Sequence, residues 1–152
     1  MNTSRRDQIA FLIGRFAVGG MYASAGIMNL FDLEAKAGYA ASKGVFEPKA
    51  LVFLASLLLV VGGISFVVGL RPRLGVAAIT VFLVPVTLIM HNFWVLEGMQ
   101  RIIELHGFMG NLGLLGSALM FLAIPRAWAF SLDGWLASLS AARRHESATH
   151  PA

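Results

Sequence analysis

Long apolar stretches separated by short clusters of charge set the pattern of this chain. Residues 9–31 contain one charge, Arg15, and residues 50–70 contain none. Residues 74–95 are also free of charge but include Pro85 and His91, and the charge-free residues 105–124 are closed by Pro125-Arg126. A helix needs roughly 20 apolar residues to cross a hydrocarbon layer of about 30 Å. The gaps therefore predict four transmembrane helices, over about 9–31, 50–70, 74–95 and 105–124. No ten-residue alternation suggests a barrel, and open sheet edges are not sustained in lipid, so the expected fold is all-α: a polytopic membrane protein built as a four-transmembrane-helix bundle with interfacial helices.

The connections sort themselves by length. Leu70-Arg71-Pro72-Arg73-Leu74 reads as a tight turn, because proline prevents the preceding helix from continuing and the arginines mark a membrane face. Residues 32–49 are longer and mixed, and read as an interfacial helix that ends near Gly44 and Pro48. Residues 96–104 carry Glu97, Arg101 and Glu104 among apolar neighbours and read as a loop lying on the bilayer. Beyond Pro125, Trp128, Leu132, Trp135, Leu136 and Leu139 recur at helical spacing. They predict an amphipathic interfacial helix over 127–144, with its indoles at headgroup depth and a disordered tail over 145–152.

Composition sharpens this picture. The 152 residues are 57% hydrophobic and 13% charged, with a mean hydropathy of +0.74, whereas soluble domains are about 25% charged. A freely soluble domain and a disordered chain are both excluded on that ground. The net charge of +4 reflects topology and not nucleic-acid binding, which requires a basic stripe on a soluble surface. With Arg5, Arg6, Arg71, Arg73, Arg126, Arg143 and Arg144 on one side and Lys36, Lys43, Lys49 and Arg101 on the other, the positive-inside rule places both termini in the cytoplasm; the membrane expected is a bacterial inner membrane. Arg5-Arg6 and Ala23-Ser24-Ala25 also resemble a signal peptide, but Arg15 interrupts the apolar run and the run continues to Phe31, so the segment is expected to be retained.

Chemistry has few places to reside. With no cysteine in the chain, thiolate catalysis and sulfur-ligated clusters lack their ligand, and redox chemistry would have to come from a partner. The first helix aligns Arg15, Gly19, Tyr22, Gly26 and Asn29 at offsets that share one face. An arginine facing lipid costs about 2.5–3.5 kcal/mol, so this face is expected to look inward, although Arg15 could also snorkel to headgroups. At the opposite membrane face His91, Asn92, Trp94, His106 and Asn111 gather with Asn29 and Asp32. Imidazole there can bond a carbonyl or exchange a proton, and an indole offers a flat wall to a ring; the same residues also serve as ordinary interfacial anchors. His91 and His106 lie too near helix ends to shield a haem, and no metal-ligand spacing such as H-E-x-x-H is present, so no metal is expected.

Three of these segments together resemble the DoxX family. Gly14-Arg15-Phe16 through Gly26-Ile27-Met28-Asn29-Leu30-Phe31-Asp32 is similar to its opening helix. His91-Asn92-Phe93-Trp94 is similar to its aromatic-tryptophan segment, and Phe108-Met109-Gly110-Asn111-Leu112-Gly113-Leu114-Leu115-Gly116 to its fourth helix. Two positions depart from the pattern: Asn29 stands where the family often has lysine, and Gly110 where a lysine commonly precedes the asparagine. The resemblance implies a four-helix membrane protein. For some relatives it implies the small subunit of a thiosulfate:quinone oxidoreductase, or the membrane member of a redox-defence assembly.

The functional expectation is an inner-membrane subunit that binds a quinone-like lipophilic ring and works with a partner subunit carrying the redox centre. Arg15, Tyr22, Asn29, Trp94 and Asn111 are the candidate ligand contacts, and His91 and His106 the candidate proton carriers. The alternative is a non-enzymatic scaffold in the bilayer that packs against a larger complex or a second copy of itself, for which the small-residue helix faces are suited. A transporter is the weaker third case, because four helices leave little room for alternating access.

Overall fold

A computed structural model describes residues 4–124 and 128–149, the last five of these by backbone alone. Among the described residues six α-helices follow one another: α1 Arg5–Phe31, α2 Leu33–Ser42, α3 Pro48–Val68, α4 Pro72–Met90, α5 Gly98–Met120 and α6 Leu132–Thr149. Short 3-10 turns lie at Phe93–Val95 and Phe121–Ala123. Four helical segments are long and apolar enough to cross a membrane: Arg5–Phe31, Pro48–Val68, Pro72–Val95 and Gly98–Ala123. Large apolar side chains such as Ile13, Val61, Leu74 and Val81 point outward. So continuous an apolar exterior suits lipid and not water.

Local chemistry explains the helix ends. Ser4 and Asp7 form a reciprocal capping box at the start of α1, with Asp7 N–H donating to Ser4 Oγ at 3.2 Å and Ser4 N–H to Asp7 Oδ2 at 3.0 Å. α3 ends at Gly69, whose φ of +65° lets Leu70 N–H return to the Ser65 carbonyl at 3.1 Å. Pro72 then opens α4, where its missing N–H costs nothing.

α1 packs along α3, α3 along α4 and α4 along α5, while α2 lies against α3 at the end of the bundle where α1 finishes. The α1–α3 seam is glycine on glycine. A Cβ on Gly63 would lie 2.4 Å from Ala23 N and 2.5 Å from Gly19 O, and one on Gly26 would lie 2.6 Å from Ser56 O. Only glycine permits backbones this close. The buried residues of α1 are Arg15, Gly19, Tyr22 and Gly26, the inward stripe that their spacing predicts. The core between the helices is formed by Tyr22, Leu59, Phe66, Val76, Ile79, Leu83 and Ala118, with Trp128 completing it from beyond α5.

Two segments differ from the expected boundaries. α5 begins at Gly98, so residues 98–104 are its first two turns and not a loop: Gly98 takes φ +59° to start the helix, and Glu104 falls on a face shared with α2 and the end of α4. α6 begins at Leu132 and continues to Thr149, into the stretch expected to be disordered. The beginning of the expected 127–144 helix includes residue 127, which lies outside the described residues. Trp128 is not at an open surface: it is 5% exposed and packs edge-on against Phe11 at 5.0 Å between ring centroids.

Candidate functional site

The α1, α3 and α4 walls do not close at the α2 end of the bundle. They enclose a cavity of about 590 Å³, roofed by Lys36, Tyr39 and Ala40 of α2 and reached by Asn111 and Leu114 of α5. Its walls are mostly alanine, valine and leucine. Glycines at the α1–α3 and α3–α4 contacts let each of those pairs of helices approach closely.

A few polar groups face this apolar space. Tyr22 sits in its wall with its hydroxyl already donating to the Leu114 carbonyl and lying 3.1 Å from Ser117 Oγ. Ser56 Oγ returns to its own helix, donating to Val52 O at 2.6 Å. Asn29 and Asn111 differ: both line the cavity, and neither amide is engaged by a described side-chain hydrogen bond. A primary amide brings two donors and an acceptor, so these two residues present unused hydrogen-bonding capacity to an otherwise greasy space.

His91, where α4 ends, also lines the cavity. Its Nδ1 lies 2.8 Å from Glu104 Oε2. The other carboxylate oxygen accepts from the Tyr39 hydroxyl at 2.8 Å, with Lys43 Nζ 3.7 Å away. Lys43 in turn donates to Asn92 Oδ1 at 3.1 Å. One carboxylate thus ties together α2, α4 and α5. Burial, together with the bond to Glu104 and its charge, pushes the Tyr39 phenol up to about 12; the phenol stays a donor at any ordinary pH. On the other side of this cluster, Tyr39, Lys43, Leu96, Gln100, Ile103 and Glu104 line a second, more polar cavity of about 320 Å³.

The remaining candidates lie elsewhere. His106 is exposed on α5, with Nδ1 directed at the Ile102 carbonyl one turn back at 2.8 Å, and does not approach His91's partners. Trp94 is about half exposed and packs edge-on against Phe93 and Phe108; it does not line the cavity. Arg15 is at the other end of the bundle, 1% exposed, with its guanidinium 5.7 Å from the Trp128 ring centroid and Nη2 donating to Phe130 O at 2.8 Å. Its Nε and Nη1 are buried without a hydrogen-bond partner among the described residues. Arg15 therefore fastens the segment after α5 onto the bundle and does not reach the cavity.

The residues that sequence reasoning missed are Glu104, Tyr39 and Lys43. Glu104 is 13 positions from His91 across a turn, and reading residues 96–104 as a loop hid its place on a helix face.

Four apolar helices around a lateral cavity define a small polytopic membrane protein. The sequence pattern of the DoxX family matches residues 10–92, more than half of the chain, and the chain belongs to that family. The matched stretch ends at the His91-Asn92 pair, so α5 with Glu104 and Asn111 lies beyond it. Neither the curated proteins nor the solved structures provide a match.

Proposed function

We propose that this DoxX protein is the membrane subunit of a quinone-linked redox complex, holding a quinone-like ring in the cavity at the α2 end. The observation that carries this reading is the pair of unengaged amides, Asn29 and Asn111, facing an apolar space of about 590 Å³ that also meets His91. A quinone needs this combination: donors for its carbonyl oxygens and greasy walls for its ring and tail, within a volume typical of small-molecule sites. Asn29 and Asn111 would donate to the carbonyls, His91 would handle the proton, and Tyr22 would shape the wall. Electrons would come from a partner subunit. Arg5, Arg6, Arg71 and Arg73 fall at the end opposite α2, which supports cytoplasmic termini in a bacterial inner membrane.

The test is gentle detergent purification followed by solvent extraction and mass spectrometry. Wild-type protein is expected to carry a quinone, and Ala55→Phe, which fills the cavity from α3, is expected to lose it while remaining folded. Wild type that carries no quinone and takes up none when supplied with it overturns the reading.

A second reading is favoured by α5, on which Ala118 is the one fully buried residue and Gly110, Gly113 and Gly116 face open space. A helix so sparsely packed suits lateral contact with another membrane protein, and so a scaffold without chemistry of its own. Under that reading Ala55→Phe leaves every phenotype intact, whereas bulky substitution at Gly113 disperses co-purifying subunits.

A further inference from the structure

The cavity at the α2 end and the polar cavity beside it share a wall, and that wall is made of groups able to pass a proton. Tyr39 lines both cavities, His91 lines the first and Glu104 the second. Between them runs an unbroken contact, from His91 Nδ1 to Glu104 Oε2 at 2.8 Å. The geometry points to a proton port: when a carbonyl-bearing lipophile binds in the cavity, a proton from the polar cavity passes through Glu104 to His91 and stays on the imidazole, whose Nε2–H donates a hydrogen bond to the ligand carbonyl. This deepens the quinone reading and rests on it.

The placement of each group supports the direction. Glu104 occupies Nδ1, which leaves Nε2 as the nitrogen available to the cavity that the ring lines. An ionised carboxylate is an acceptor only and an imidazole can carry a proton on both nitrogens, so a proton arriving through Glu104 can settle on Nδ1 while Nε2 keeps its own and donates a hydrogen bond to a carbonyl. The charge and titration partners of the pair are few. α2 contributes Tyr39, Lys43 and, on the cavity roof, Lys36; α5 contributes Glu104 and neutral Gln100; α1 and α3 contribute neutral Asn29 and Ser56. Lys43 balances the carboxylate when it is ionised, and Tyr39 keeps its own proton, so neither competes for the transferred one. Space for the imidazole depends on Gly107, where a Cβ would lie 2.4 Å from His91 Nδ1.

Proton linkage is measured directly by calorimetric titration of the full chain in lipid nanodiscs with menadione, repeated in buffers of different ionisation enthalpy. Wild type is expected to take up as much as one proton per menadione bound, and Glu104→Gln to bind menadione with that uptake lost. Gly107→Ala, which pushes the ring off the carboxylate without removing a charge, is expected to lose the uptake as well, and it serves if Glu104→Gln does not assemble. Menadione binding with no proton uptake in wild type, or equal uptake in Glu104→Gln and wild type, overturns the port and leaves the quinone reading standing. Absence of any menadione binding overturns both.

Discussion

Arg15 Nη2 donates to the carbonyl of Phe130 at 2.8 Å, joining two residues 115 positions apart. The bond explains why an arginine lies inside an apolar helix. Its guanidinium is held against Trp128, its charge faces a ring and a carbonyl in place of a carboxylate, and the chain after α5 is folded back over the end of the bundle. Phe130 takes a φ of +54° there, an uncommon backbone state for a side chain of that size.

Replacing Arg15 with methionine should separate the two consequences of this contact. The lost charge-assisted hydrogen bond is worth about 1.5–3 kcal/mol. Against it stands the desolvation of a guanidinium with two unengaged nitrogens, a penalty of several kcal/mol for a buried ion, so an apolar residue of similar length is expected to be close to neutral for the bundle. Thermal unfolding of Arg15→Met should resemble wild type, while limited proteolysis releases α6 faster and Trp128 emission shifts to the red. Unchanged proteolysis would show that the arginine does not hold the segment.

The α1–α3 seam gives a sharper stability test. Gly63→Ala places a methyl 2.4 Å from Ala23 N and 2.5 Å from Gly19 O, and because these are backbone atoms the helices must separate. A loss of about 1–3 kcal/mol is expected, as for other overpacked sites. Gly110→Ala meets nothing within 4 Å and should gain up to about 1 kcal/mol from helix propensity alone. Thermal melts of the two variants in one detergent decide this, and equal shifts would contradict the packing.

These contrasts show what was legible in the sequence. The four spans were readable because lipid forbids charge over a fixed length, and the inward stripe from Arg15 to Asn29 because helical spacing leaves one polar face. Glu104 was not readable: its meeting with His91 depends on how α4 and α5 cross, which no local period encodes. His106, only two positions on, faces away, because successive helical residues turn by about 100°. Trp128 was misplaced for a related reason. Amphipathic spacing shows that a face is apolar, and a lipid headgroup and the end of a helix bundle can satisfy it equally.

Tyr39 offers a test by pH. Its phenol is held neutral to about 12, first by burial and then by its bond to Glu104 and that group's charge. Because the folded value is raised, the stabilisation is complete below the unfolded value of about 10 and is lost as pH climbs toward about 12. Ultraviolet difference titration of wild type against Tyr39→Phe should isolate one tyrosinate transition at the upper end of that window. In Glu104→Gln the transition should move down without reaching the unfolded value, since burial persists. A transition that stays in place in Glu104→Gln would mean the phenol and carboxylate are not in contact.

The segment that Arg15 holds is anchored a second time. Asp133 accepts from Arg71 N–H at 2.9 Å and donates its own N–H to Gly69 O at 3.2 Å, gripping the α3–α4 turn where Arg71 has a φ of +47°. Asp133 is three residues beyond Phe130, so both attachments restrain one short stretch of backbone, and losses at two sites on one element do not add. Asp133→Ala alone should raise the proteolysis rate of α6 moderately, as Arg15→Met does. The double variant should exceed the product of the two single effects, because either anchor alone keeps the stretch near its seat and only their joint loss frees it. Single and double variants digested under identical conditions give the coupling directly, and a purely multiplicative result would mean the two contacts restrain separate pieces of chain.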